Sequence, residues 1–198
     1  ADCAAKARGV LGCLPERCVV EASGNIVKNV KSVIVPNTGG LKGIEAAAAA
    51  GIAAGDASRI LEVIAGVTEE QKAEIKAYLQ NAEISVRPLE TDEILDMVVT
   101  VSGGGSCVKV RIAGYHTNIV LIEKDGEVLY KVGAVAAREA QMADRSLLNV
   151  EDIYDFAKTA DLEDVRDVIG RQIAYNSAIS EDGLQNDWGA NIGSVLLK

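Results

Sequence analysis

A chain of 198 residues is long enough to bury a core without disulfides or a structural metal. With 48% hydrophobic and 25% charged residues it is not a disordered chain, and a net charge of −9 argues against a nucleic-acid backbone as partner. Aromatics supply only 4% of the residues, so alanine, valine, isoleucine and leucine must fill the core.

Ala1 to Leu11 has helical rhythm, closed by Gly12 with Pro15 soon after. "RCVVEAS", from Arg17, alternates and is β-branched, which predicts a strand. Gly24-Asn25 reads as a turn, and "IVKNVKSVIV" as a second extended stretch ending at Pro36. Helical signals follow over Leu41–Ala54 and Ala57–Ala65, then over Glu69–Gln80, where Thr68 and Gln71 form a capping box.

From Glu83 the period switches to two. Strands are expected at Glu83–Arg87, Ile94–Ser102, Cys107–Ala113, Asn118–Lys124 and Glu127–Val132, with Asp125-Gly126 as a hairpin turn. Helical spacing returns in "VEDIYDFAKTA", capped by Asn149, and in Leu162–Glu181; "DWGANIGSVLLK" begins one more helix. The expected class is α+β: an antiparallel β-meander packed with alanine-rich helices. A β subdomain covers 82–132 and a mostly helical part covers 133–198.

Three stretches carry candidate chemistry. Asn37, Thr38, Gly39 and Gly40 stand between a β-branched run and an alanine-rich helix, a local plan suited to holding a carboxylate, though equally a plain turn. "GYHTN" sets His116, the sole histidine, beside Thr117 and Asn118. Imidazole suits general-base work or a carboxylate contact, and a lone histidine is also often structural. "SGNIVKNVKS" spaces Asn25, Asn29, Lys28 and Lys31 around an extended segment, which suits ligand orientation, though two asparagines in a turn usually serve the backbone. Cys3, Cys13, Cys18 and Cys107 lack CxxC spacing and a histidine partner at zinc-finger distance, so they read as free thiols and no metal ligand is assigned.

Together, "SGNIVKNVKSVIVPNTGGLKGIEAAAAAGIAAG", "AGYHTNIVLIEKDGEVLY" and "NSAISEDGLQNDWGANIGSVLL" resemble the bacterial family related to the serine dehydratase α chain, which includes the L-cysteine desulfidases. The resemblance implies a pyridoxal-phosphate-independent lyase with an oxygen-sensitive [4Fe–4S] cluster, in which an incompletely ligated iron acts as Lewis acid on the β-substituent. β-Elimination from L-cysteine or L-serine then leaves aminoacrylate, which hydrolyses to pyruvate and ammonia. Family members are longer. They carry a Gly-Cys-Thr-Glu-Pro segment ahead of the position where this chain starts, and further cysteines in a C-terminal helical half.

On that resemblance the chain is expected to be the N-terminal part of a longer lyase, inactive alone, with the cluster held elsewhere in the parent. Its substrate-binding residues are expected to be Asn37, Thr38, Gly39, Gly40, Thr117 and Asn118, with His116 as the catalytic candidate. The expected partners are a small amino acid and the C-terminal helical half, with a homodimer as a further candidate assembly. The alternative is an amino-acid-binding regulatory module or a structural, dimerising domain. The longest apolar stretch, 46–54, is too short for a bilayer and no long apolar segment opens the chain, so the expected location is the cytoplasm.

Overall fold

The computed structural model describes residues 1–133, 145–186 and 191–197. The chain divides into two units, Ala1–Met142 and Ala143–Lys198. The first is α+β. It runs α1 (Asp2–Leu11), β1 (Arg17–Ala22), α2 (Gly24–Val30), α3 (Gly43–Ala54), a 3-10 turn (Ala57–Glu62) and α4 (Glu69–Asn81). Then come β2 (Glu83–Pro88), β3 (Asp96–Gly103), β4 (Ser106–Ala113), β5 (Ile119–Lys124) and β6 (Glu127–Lys131).

The six strands form one mixed sheet in the order β2-β1-β3-β4-β5-β6. The meander is confined to β3–β6. β2 lies beyond β1, which pairs parallel with β2 (Arg17↔Glu83) and antiparallel with β3 (Arg17↔Ser102). Alternation at 83–87 marks a strand but carries no information about its neighbour. The link from β1 to β2 runs through three helices, as a parallel pairing requires. The meander turns are tight. Gly104 and Gly105 (φ 58° and 80°) join β3 to β4, and Asp125 and Gly126 (φ 52° and 85°) join β5 to β6.

One sheet face forms the core. Val20, Val99, Val101, Val108, Val110 and Ile112 meet alanines of α1 and α3, with Ile75 and Tyr78 of α4 closing one end. Alanine lets the helices approach closely: a Cβ on Gly51 of α3 would collide with the carbonyl oxygen of Ala1. The other face carries Glu21, Thr100, Arg111, Lys109 and Glu123 among apolar Val98 and Leu121, with Lys109 and Glu123 paired across β4 and β5.

Two segments depart from the sequence expectation. The stretch after Gly24 is not extended. It is α2, with Ser23 at its N-cap and the Val27 amide donating to the Ser23 carbonyl at 3.1 Å. β-Branched residues at 26, 27 and 30 mimic a strand, but their i, i+4 spacing turns Ile26 and Val30 toward α3 and the sheet. The helix expected over Ala57–Ala65 shortens to the 3-10 turn, broken at Ile60, whose φ is 53°.

In the second unit, α5 (Val150–Thr159) is capped by Asn149, which accepts from the Asp152 amide at 2.8 Å. α6 (Leu162–Gln185) starts at Asp161, which accepts from the Glu163 amide at 3.0 Å. A short α7 spans Ile192–Leu196. The "DWGA" opening of the expected last helix, residues 187–190, lies outside the described residues. Among the described residues no helix is long and apolar enough to cross a membrane.

Candidate functional site

A cavity of about 500 Å³ opens between α2, α3 and the ends of β1 and β3 in the first unit. Its floor is apolar, from Val20, Ala22, Ile44, Ala48, Met97 and Val99. Among its lining residues, Asn25 and Asn29 bring side-chain amides and His116 an imidazole. An apolar hollow with a few convergent polar groups is the general form of a small-molecule site.

Helix α2 builds the polar rim. Asn25 and Asn29 are one turn apart, and Asn29 Nδ2 donates to Asn25 Oδ1 at 3.3 Å. That bond leaves the Asn25 amide nitrogen as a donor and the Asn29 carbonyl oxygen as an acceptor. A neutral donor–acceptor pair of this kind matches a zwitterion, with a carboxylate on the first and an ammonium on the second. His116 reaches the same cavity from the β4–β5 turn and makes no hydrogen bond to any described residue.

The turn that carries His116 is held rigidly. Asn118, buried at 6% exposure, donates from Nδ2 to the Ala113 carbonyl at 2.8 Å. The Gly114 amide donates to Leu95 at 2.8 Å and the Asn118 amide to Tyr115 at 3.1 Å. Asn118 therefore shapes the turn, and Thr117 is exposed outside the cavity lining.

The first sequence candidate, the turn at 37–40, stands apart. Asn37, Thr38, Gly39 and Gly40 form the tip of a small hairpin closed by the Ile34–Lys42 bridge, and α3 starts only at Gly43. Asn37, at φ 57°, donates from Nδ2 to the Ile64 carbonyl at 3.1 Å. Thr38 is buried and its hydroxyl donates to the Val35 carbonyl at 2.7 Å. Gly39 and Gly40 take φ of 72° and 89°, which the turn requires. None of the four lines the cavity.

Behind the cavity sits a buried ion pair. Asp96, fully buried at the start of β3, accepts from Arg111 Nε at 2.9 Å and Nη2 at 2.6 Å, and from the Thr91 hydroxyl at 2.8 Å. The hydrogen-bonded carboxylate holds the Arg111 guanidinium above its ordinary range. The Ser23 hydroxyl donates to the Ile94 carbonyl at 2.8 Å, and its amide to the Asp96 carbonyl at 2.9 Å. This network fixes the start of α2 and the Ile94–Leu95 lip. The sequence reading missed it because an Asp and an Arg far apart in the chain become partners only through strand register, Asp96↔Ala113 beside Val98↔Arg111.

The cysteines do not converge. Cys3 and Cys18 are buried, and burial pushes both thiols up to about 12; Cys13 and Cys107 are exposed. Cys3 borders the cavity, yet its Sγ donates to the Val110 carbonyl at 3.3 Å. Among the described residues no group of three or more His, Cys, Asp or Glu side chains could hold a metal ion. The described residues do not fit an iron–sulfur cluster.

No family model matches the chain, and no solved structure matches it. It is similar to proteins named UPF0597. It is 51% identical over 195 residues to one from Desulfitobacterium hafniense, covering 98% of this chain and 45% of that protein. It is 45% identical over 193 residues to one from Lachnoclostridium phytofermentans and 40% identical over 196 residues to one from Treponema denticola, covering 98% of this chain and 46% of each relative. The chain thus spans about half the length of these relatives. None of the three names mentions a serine dehydratase or a cysteine desulfidase.

Proposed function

We propose that the chain supplies the amino-acid-binding part of a β-eliminating lyase of the serine dehydratase or cysteine desulfidase kind. One observation carries the reading: the cavity whose apolar floor is overhung by the Asn25–Asn29 amide pair and by His116. The amide pair receives the α-carboxylate and α-ammonium, and the floor takes the side chain. Orienting the substrate in this way contributes a large part of such catalysis. In this reading His116, which also lines the cavity, contacts the carboxylate or takes a proton of the bound amino acid.

The iron–sulfur cluster that the resemblance implies has no ligand set among the described residues, so no residue of this chain is assigned to it and no step is drawn through it. The hairpin tip at Asn37–Gly40 becomes a structural turn in this reading, because both polar side chains already serve backbone carbonyls.

The test is a paired assay. The full-length Desulfitobacterium relative, reconstituted anaerobically with iron and sulfide, is expected to release pyruvate from L-cysteine or L-serine. Replacing its counterparts of Asn25 and Asn29 by alanine should raise KM at least tenfold. If the relative holds iron and yields no pyruvate from either amino acid, the lyase reading fails. If this chain still binds the amino acid in that case, it is a sensing module.

A further inference from the structure

In α5, α6 and α7 no residue is buried, although the segment is rich in large apolar side chains. In α6, Leu162, Val165, Ile169 and Ile173 recur at helical spacing along one stripe; Leu162, Ile169 and Ile173 are 74%, 45% and 61% exposed. Val150, Ile153 and Tyr154, spaced i, i+3, i+4, do the same on α5. Around these stripes, residues 149–186 carry nine acidic and three basic side chains. An isolated helix as short as α5, at 10 residues, is marginal in water, and most helical stability in proteins comes from packing an apolar face. An uncovered apolar surface of this extent marks an interaction site.

The relatives supply the length for a cover. Each matches 98% of this chain, yet more than half of each lies outside the match. We propose that the apolar faces of α5 and α6 are the docking surface for that remaining half of the relatives' polypeptide, which presents a complementary apolar face with a basic rim. This inference is independent of the lyase reading, since it concerns packing and not chemistry.

Amide hydrogen exchange, with light scattering in parallel, tests it on this chain and on the full-length Desulfitobacterium relative. Peptides spanning α5 and α6 are expected to exchange at least tenfold more slowly in the full-length relative, while those of β3 and β4 match in the two proteins. In the relative, aspartate at the counterparts of Ile169 and Ile173 should return α6 exchange to the fast rate and leave β3 and β4 protected. Equal exchange of α5 and α6 in both proteins overturns the proposal, as does strong protection already present in this chain. Protection that scales with dimerisation of this chain would instead name a second copy as the cover, and also overturns it.

Discussion

Asp96 and Arg111 set the geometry of the cavity lip. A buried carboxylate stripped of its guanidinium is left with the full desolvation penalty and one hydroxyl donor. Arg111→Ala should therefore cost about 2–3 kcal/mol, at the low end for a buried pair because the Arg111 side chain is 39% exposed. The check is the urea midpoint. Arg111→Lys should recover little, since an ammonium cannot reproduce the two-pronged contact. The thiols give a second residue-scale expectation. Cys13 and Cys107 should react quickly with a disulfide reagent in the native protein, and Cys3 and Cys18 only after denaturation. Because burial raises the Cys3 and Cys18 thiols to about 12, the folded state holds their protons more tightly than the unfolded state. Their contribution to stability is complete below the ordinary thiol range and is lost as pH climbs through it toward 12. A denaturation series over that alkaline window reads it.

At the scale of elements, α4 carries a complete capping box. The Thr68 hydroxyl accepts from the Gln71 amide at 3.3 Å, and Gln71 Oε1 accepts from the Thr68 amide at 3.0 Å. Thr68→Ala should cost about 1 kcal/mol, read as a lowered Tm. This box, the Asp125-Gly126 hairpin and the Asn149 cap were legible in the sequence because each is decided by a few adjacent residues. The strands β2–β6 were legible for the same reason, through their alternation. The neighbour of β2 was not, because pairing across three helices leaves no local mark. Helix α2 was misread because "IVKNV" satisfies both periods, and contacts with α3 and the sheet decide between them. That error hid the candidate site: on a strand Asn25 and Asn29 would share a face but stand roughly 13 Å apart, whereas on a helix they lie one turn apart and bond to each other. His116 was picked out as the sole histidine, but its meeting with α2 depends on the β4–β5 turn lying over Leu95.

At the scale of the molecule, the first unit holds a closed core, a sheet and a cavity, whereas α5–α7 hold apolar faces and no buried residue. The division matches a protein in which recognition of a small ligand and docking of further polypeptide belong to different parts of the chain. Asn25→Ala with Asn29→Ala should leave the far-ultraviolet circular dichroism and Tm of the first unit unchanged, because both side chains are exposed and bond only to each other. The same double change should remove ligand binding.

The most direct measurement uses the sole histidine as its own reporter. As the sole histidine, His116 should give a single pair of imidazole C–H signals by NMR, and it borders the cavity. Titration of the intact chain with L-cysteine and with L-serine should shift that signal saturably, and the Asn25→Ala, Asn29→Ala double variant should abolish the shift. An imidazole signal that stays put at millimolar amino acid, or that moves equally in the double variant, would contradict the assignment of this cavity as the amino-acid site.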